Sequence, residues 1–173
     1  MLHLEFPNIS HKSRYLEMVE EWNLEKYPDT DVPNRLFVGK DYEAFLSIIT
    51  EDITANQNGV NSTLWFFMDD EKILWAIQIR HTIDHPRLSL EWGSGGHIGY
   101  GLRPSVRGKW LANEMLRLGI IEARKLGIQD ILISALEERV ASWKTIERLG
   151  GVYAKSIDED GKNLKVYWIN SWK

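Results

Sequence analysis

A glycine-interrupted stretch followed by a basic turn, near the middle of the chain, constrains the fold most. Residues Gly95–Pro104 predict a strand that Pro104 ends, because proline cannot donate a ladder hydrogen bond. The segment Ser105–Ala112 then turns and opens a helix whose apolar spacing runs from Arg107 to Leu126. Backbone N–H groups at a helix start have no partner inside the helix, and the helix dipole is positive there. The sequence therefore predicts an anion-binding site at this turn.

The strand before the turn has a bare face. Side-chain alternation over His97–Arg103 places Gly99 and Gly101 on one face and Tyr100 on the other, where we interpret Tyr100 as a core residue. Two glycines on one face leave a flat backbone against which a slender ligand can lie. The alternative is that the glycines mark a bulge or close packing, and local pattern does not separate the two.

Two helices and a hairpin are predicted upstream. Helical spacing favours one helix from Ser10, as its N-cap, to Asn23, and a second one from Asp41 to the polar run Asn56–Gly59. We expect both helices to precede any strand. Strands at Thr63–Met68 and Ile73–His81 then form an antiparallel pair.

Downstream, the pattern predicts a crossover unit. The central helix presents an apolar side, and a buried strand at Ile128–Ala135 follows it, so this strand should run parallel to the glycine-containing one. A helix at Val140–Leu149 and strands at Val152–Ile157 and Lys165–Ile169 complete the chain. The predicted apolar side of the central helix comprises Leu111, Met115, Leu118, Ile121 and Leu126.

Composition limits the class of protein. A length of 173 residues, 43% of them hydrophobic, favours one domain over residues 1–173. The formal charge of −4 argues against a nucleic-acid partner, and no stretch has the length of a membrane span. The absence of cysteine excludes disulfides and thiolate metal ligands and fits a cytoplasmic protein, for which we expect no metal.

The strand, the turn and the order of elements resemble the GNAT family of N-acetyltransferases, over most of the chain. The family's turn reads Arg or Gln, two residues, Gly, one residue, then Gly or Ala, and Arg107 and Ala112 match its ends. The run Leu102–Pro104 resembles the end of the family's fourth strand, and Ala141–Gly151 resembles its last conserved helix and the turn after it. The resemblance implies an α/β fold with a mixed, mostly antiparallel central sheet flanked by helices, in which one parallel strand pair splays apart.

The resemblance also implies a site for acetyl-CoA. The pyrophosphate would lie on the turn, and the pantetheine arm would pair with the exposed backbone of the splayed strand. Three positions depart from the family pattern: Trp110 replaces a usual glycine, Ile146 replaces a frequent tyrosine and Arg139 replaces a frequent asparagine. The implied cofactor-binding residues are Leu102, Arg103, Arg107, Gly108, Lys109, Trp110, Leu111, Ala112, Arg139 and Ser142.

Acetyl transfer to an amine needs a base, an oxyanion donor and an acid. His97 titrates near neutrality without a large shift, whereas Glu91 would need burial to raise its pKa, so His97 is the preferred base. A backbone N–H near Leu102 would stabilise the oxyanion. Ser142, Tyr167 or solvent would protonate the departing thiolate.

The implied function is N-acetylation of a primary amine, on a small molecule or an amino terminus, by direct attack on the thioester. The alternative is a non-catalytic acyl-CoA binding or sensing module with the same fold, which Trp110 and Ile146 favour. Tryptophans in the tail, such as Trp168 and Trp172, suggest a possible homodimer.

Overall fold

The computed structural model describes residues 1–21, 41–54, 59–70, 72–85, 88, 95–159 and 161–170. Their strands form two sheets, in which every neighbouring pair is antiparallel: one in the order β1-β2-β3-β4, the other in the order β5-β7-β6. The strands are β1 Leu2–Glu5, β2 Ser62–Asp69, β3 Lys72–Arg80, β4 Ile98–Tyr100, β5 Ile131–Leu136, β6 Val152–Glu159 and β7 Lys162–Ile169. The helices are α1 Lys12–Glu21, α2 Tyr42–Glu51, α3 Leu111–Lys125 and α4 Val140–Arg148.

The chain begins with a strand. Leu2–Glu5 pairs with β2 in antiparallel register, with Leu4 opposite Phe67. The prediction that two helices precede any strand was therefore wrong. Four residues of alternating polarity are too few to distinguish a strand from coil, and the pairing with β2 supplies the missing stabilisation.

The two early helices differ from their patterns at the ends that the structure describes. The first turn is capped by Asn8, whose Oδ1 accepts from the Ser10 N–H at 3.0 Å, and a 3-10 turn at Ile9–His11 leads into α1. Ser10 is thus inside the turn and is not its cap. The second helix starts after Asp41 as predicted, and Asp41 caps it by accepting from the Ala44 N–H at 2.8 Å, but α2 ends at Glu51. Residues 22–40, with the predicted end of the first helix, lie outside the described residues.

The four-stranded sheet is covered on both faces. Tyr15 of α1 and Phe45 of α2 stack on each other and pack with Phe66 of β2 on one face. On the other face, Ile77 of β3 packs in a second cluster with Met115 of α3. Alternating residues of β2 and β3 thus supply two separate cores.

The predicted apolar side of α3 was partly wrong. Met115 is buried as expected, but Ile121 and Leu126 are exposed. The buried residues of the helix are Met115, Leu116, Gly119, Ile120 and Ala123. Gly119 explains the difference, because a Cβ there would lie 2.2 Å from Cδ1 of Ile77, so the helix approaches the sheet along its small residues. A count of large apolar residues does not reveal such a contact.

The two sheets meet where β4 and β5 begin. The described residues show a single backbone hydrogen bond at this junction, from the His97 N–H to the Leu132 carbonyl at 2.7 Å, and no ladder joins the strands beyond it. β4 and β5 are the parallel pair of the predicted crossover, and they separate after their first residues. The mixed sheet flanked by helices is therefore confirmed. The predicted tail is confirmed too, although β6 and β7 are longer than expected.

Candidate functional site

The gap between β4 and β5 is lined by backbone groups of β4. The Arg80 N–H donates to the His97 carbonyl at 2.8 Å, and the Arg103 N–H donates to the Leu74 carbonyl at 3.0 Å. Along an antiparallel strand, the backbone N–H and carbonyl groups of successive residues point alternately toward and away from the neighbouring strand. Between these two bonds, the groups of the odd-numbered residues therefore point toward β3. The N–H and carbonyl groups of Ile98, Tyr100 and Leu102 consequently point away from β3, into the gap.

Leu102 offers a donor at the end of this row. Its carbonyl accepts from Nε of Arg107 at 3.0 Å, which holds the Arg107 side chain against the strand. Its N–H has no acceptor within the described part of the chain. A fixed, unpartnered N–H beside an open gap is the kind of donor that stabilises a developing oxyanion.

His97 closes the narrow end of the gap. Its Nδ1 accepts from the Leu132 N–H at 2.9 Å while its own N–H donates to the Leu132 carbonyl, so His97 and Leu132 are joined twice. The side chain is buried. Because Nδ1 is an acceptor, the neutral ring carries its proton on Nε2 and has no free lone pair for a substrate proton. This geometry gives His97 a structural role where the sequence suggested a base.

Burial, together with the Arg80 charge, lowers the pKa of His97 below its ordinary 6.5. The folded state therefore favours the neutral ring, and its stabilisation is complete above pH 6.5 and is lost as pH falls through the lowered pKa. We expect the free energy of unfolding, measured in urea between pH 7.5 and 5, to fall less steeply with pH in His97→Asn, whose amide oxygen can still accept from Leu132.

Ser47→Ala, at an exposed position of α2 that carries no ionisable group, provides the control and should leave the slope unchanged. Burial also lowers the pKa of His81, so part of the dependence of the unfolding free energy on pH should remain in both variants. An unchanged slope in His97→Asn would show that His97 does not titrate in this way.

The turn before α3 leaves its amides open. Gly108 has φ +77° and Trp110 has φ +63°, so the chain turns twice through the left-handed region before the helix starts at Leu111. No side chain caps α3, in contrast to α2, whose N-terminus Asp41 covers. Within the described residues, no acceptor faces the N–H groups of Leu111 and Ala112. The predicted anion site is thus open on its backbone side.

Trp110 does not fill this turn. Its side chain is 68% exposed, and its ring lies 4.5 Å from the Arg148 guanidinium carbon at the end of α4. The indole therefore points outward, and the turn can present its amides despite the bulky residue at a usual glycine position.

The Arg103 side chain contacts α1 and β3, whereas the sequence suggested that it binds the cofactor. Its guanidinium donates to Glu17 at 3.0 Å, to Glu21 at 2.5 Å and to the Ile73 carbonyl at 3.1 Å. Its N–H is bonded to Leu74 and its carbonyl accepts from Val106. The expectation that Arg103 contacts a cofactor is corrected, because its guanidinium and N–H hold α1 and β3 in place and its carbonyl is bonded to the following turn.

The two candidate proton donors lie on α4 and β7. The Ser142 carbonyl, in the first turn of α4, accepts from the Tyr100 hydroxyl at 3.2 Å, so Tyr100 ties β4 to α4. Tyr167 is buried in β7, donates to Oε1 of Glu147 at 3.1 Å and has its pKa raised to about 12, first by burial. Arg139 precedes α4 without a side-chain cap, and Ile146 is a core residue.

Sequence reasoning did not single out Gly96 and Arg80. Gly96 has φ +56°, and a Cβ there would lie 2.5 Å from the Leu132 carbonyl oxygen. Arg80 donates to the carbonyls of Gly95 and Gly96 at 3.1 and 3.0 Å and so fixes the approach to β4. The glycine run pointed to this segment, but not to the one glycine that β5 contacts. Glu91 lies outside the described residues.

Trp168 is half-buried in β7, and Trp172 lies outside the described residues. Across the described ranges, no group of three or more metal-ligating side chains occurs. No helix there is long and apolar enough to cross a membrane.

No protein-family model and no curated protein matches the sequence. Solved structures do match in fold. The microcin self-immunity acetyltransferase MccE, in complex with acetyl-CoA and AMP, is 19% identical with a TM-score of 0.69, over 98% of this chain and 92% of that one. RimL, a ribosomal alpha-N-protein acetyltransferase in complex with coenzyme A, is 16% identical with a TM-score of 0.69, over 98% and 94%.

A third similar structure is a protein from Bordetella pertussis that is assigned to the GNAT acetyltransferase family. It is 14% identical with a TM-score of 0.66, over 96% of this chain and 94% of that one. The similarity spans nearly the whole length of both chains in each case. The protein therefore has the fold of the GNAT acetyltransferases.

Proposed function

We propose that the protein binds acetyl-CoA in the β4–β5 gap and transfers the acetyl group to a primary amine. The observation that carries this proposal is the row of outward-facing β4 backbone groups that ends next to the uncapped start of α3. A long arm with amide groups fits the first feature and a diphosphate fits the second. The structural neighbours crystallised with acetyl-CoA or coenzyme A support the same assignment.

The parts of the site take separate roles in this proposal. Amides from Gly108 to Ala112 hold the diphosphate, with Arg107 and Lys109 adding positive charge beside them. Ile98 and Tyr100 pair through their backbone with the pantetheine amides. The Leu102 N–H faces the acyl carbonyl, and such a donor contributes on the order of 3 kcal/mol to the transition state. Bound acetyl-CoA supplies the activated acetyl thioester.

Proton transfer limits the choice of catalytic groups. An alkyl ammonium with a pKa of about 10 must lose a proton before it can attack. His97 is committed to Leu132, so the base is another group, and Glu91 stays a candidate. For the departing thiolate we favour Ser142 over Tyr167, because the Tyr167 hydroxyl is buried and already donates to Glu147. Arg139, just before α4, is a candidate for binding the same end of the cofactor.

The acceptor is a primary amine on a small molecule or at an amino terminus. Two structural neighbours illustrate these two classes, since one is a self-immunity acetyltransferase and the other acts on the alpha-N position of a ribosomal protein. A cytoplasmic location, a single functional domain and a homodimer accompany the proposal as expectations to be tested.

Thiol release from acetyl-CoA, followed over a panel of small amines and peptides, tests the transfer reaction. With an accepted amine, Ser142→Ala should lower kcat about 100-fold, the lower range for general acid catalysis, and leave acetyl-CoA affinity within twofold. Ser47→Ala, on an exposed position of α2, is the matched control and should change neither quantity.

Each other outcome has a definite meaning. Tight binding of acetyl-CoA without thiol release from any amine would favour the binding or sensing module. Failure of the wild type to bind acetyl-CoA would contradict both functions. A Ser142→Ala variant with full activity would remove Ser142 from the reaction.

A further inference from the structure

Trp110 and Arg148 form an exposed aromatic and cationic pair at the rim of the proposed diphosphate turn. The Trp110 ring, 68% exposed, lies outside both hydrophobic clusters, so core packing does not account for it. Arg148 comes from the end of α4, on the other side of the turn, and its guanidinium lies over the ring at 4.5 Å. The pair thus joins the start of α3 to the end of α4 across the surface.

The turn beside the pair carries basic residues. No acidic residue occurs from Pro104 to Asn113, whereas Arg107 and Lys109 flank the turn. Arg148 forms no ion pair with a carboxylate in the described ranges, so its guanidinium is open to an anion while it lies on the indole. An aromatic face beside an open guanidinium can hold a base and a phosphate at the same time.

We propose that Trp110 and Arg148 bind the 3′-phosphoadenosine end of coenzyme A, with the indole stacking on adenine and Arg148 contacting the 3′-phosphate. This inference rests on the proposed function, because it places the nucleotide next to a diphosphate held at Gly108–Ala112. It also explains why a tryptophan occupies a left-handed position where glycine carries no steric cost. The side chain then contributes to ligand binding and not to the fold.

Calorimetric titration of the full chain with coenzyme A, 3′-dephospho-coenzyme A and 4′-phosphopantetheine tests the subsite. Trp110→Leu should weaken both nucleotide ligands about tenfold, within the range for base stacking, and leave 4′-phosphopantetheine unchanged. Trp110→Phe, which keeps an aromatic face, should recover most of the loss. Arg148→Gln should weaken coenzyme A about fivefold and 3′-dephospho-coenzyme A much less, with the difference shrinking at high salt.

Lys144→Gln makes the same charge change on the same helix and is the matched control, expected to behave as wild type. Equal affinity of the wild type for coenzyme A and 4′-phosphopantetheine would overturn the subsite and leave the proposed function intact. The subsite would also be overturned if Trp110→Leu weakened all three ligands equally, since that result reports a distorted turn. A wild type that binds none of the three would overturn the proposed function together with the subsite.

Discussion

Replacing Gly96 by alanine is expected to cost about 3 kcal/mol of the free energy of unfolding. The φ of +56° alone costs an L-residue about 1 to 2 kcal/mol. The new Cβ would also lie 2.5 Å from the Leu132 carbonyl oxygen and 2.8 Å from its carbon, and neither atom belongs to a flexible side chain. β4 and β5 would have to separate, which breaks the hydrogen bond from the His97 N–H to Leu132.

Gly108→Ala is the matched control for this prediction. Gly108 has φ +77°, but nothing lies within 4 Å of an added Cβ, so its replacement meets the backbone penalty without the collision. Urea denaturation should show a loss of about 1 kcal/mol for Gly108→Ala. Equal losses for the two variants would show that β4 and β5 are not in contact at Gly96.

The second large effect is expected at Arg103. Arg103→Met should destabilise the fold by about 3 kcal/mol, because it removes one cation from a network with two carboxylates and the buried Ile73 carbonyl. Glu17 is 53% exposed and can regain water, whereas Glu21 is 23% exposed and also accepts from the Ser105 N–H at 2.6 Å. The larger share of the loss therefore comes from Glu21 and Ile73.

Arg117→Met provides the comparison for Arg103. Its ion pair with Glu114 lies on the surface of α3, where such pairs contribute less than about 1 kcal/mol. Burial raises the pKa of Glu21, but its contacts with Ser105 and Arg103 together outweigh burial and lower that pKa. The contribution of Glu21 is therefore present above the ordinary pKa and is lost as pH falls through the lowered one. Arg103→Met should weaken this acid dependence. A loss no larger than that of Arg117→Met would contradict the buried network.

The sequence predicted the architecture where patterns are long. The helices α3 and α4 were predicted from apolar spacing that continues over several turns, and the strands of the hairpin and the tail from short aromatic and β-branched runs bounded by turn residues. The start of α2 after Asp41 could be predicted because a helix start signal is local in sequence. β1 could not, since four residues carry little pattern and depend on β2 for their pairing.

The position of the candidate site could be proposed from the sequence, but the contacts of its residues could not. The basic turn and the glycine strand could be recognised from residue types, and the structure places them beside one gap. The partners of Arg103 and His97 could not, because Glu17, Glu21 and Leu132 are distant in sequence and come into contact only after folding. The position of Arg103 next to the predicted anion site therefore suggested that it binds a ligand, whereas its guanidinium is engaged by buried contacts within the protein.

We propose that the outward-facing backbone of β4 binds the pantetheine arm of acetyl-CoA. Amide hydrogen exchange, measured residue by residue by NMR with and without saturating acetyl-CoA, tests it most directly. We predict that exchange at Ile98, Tyr100 and Leu102 slows at least tenfold more than at Gly99 and Arg103, whose N–H groups face β3. Acetyl-CoA binding that slows exchange equally at the outward-facing amides and at those that face β3, or at neither, would show that the arm does not pair with β4.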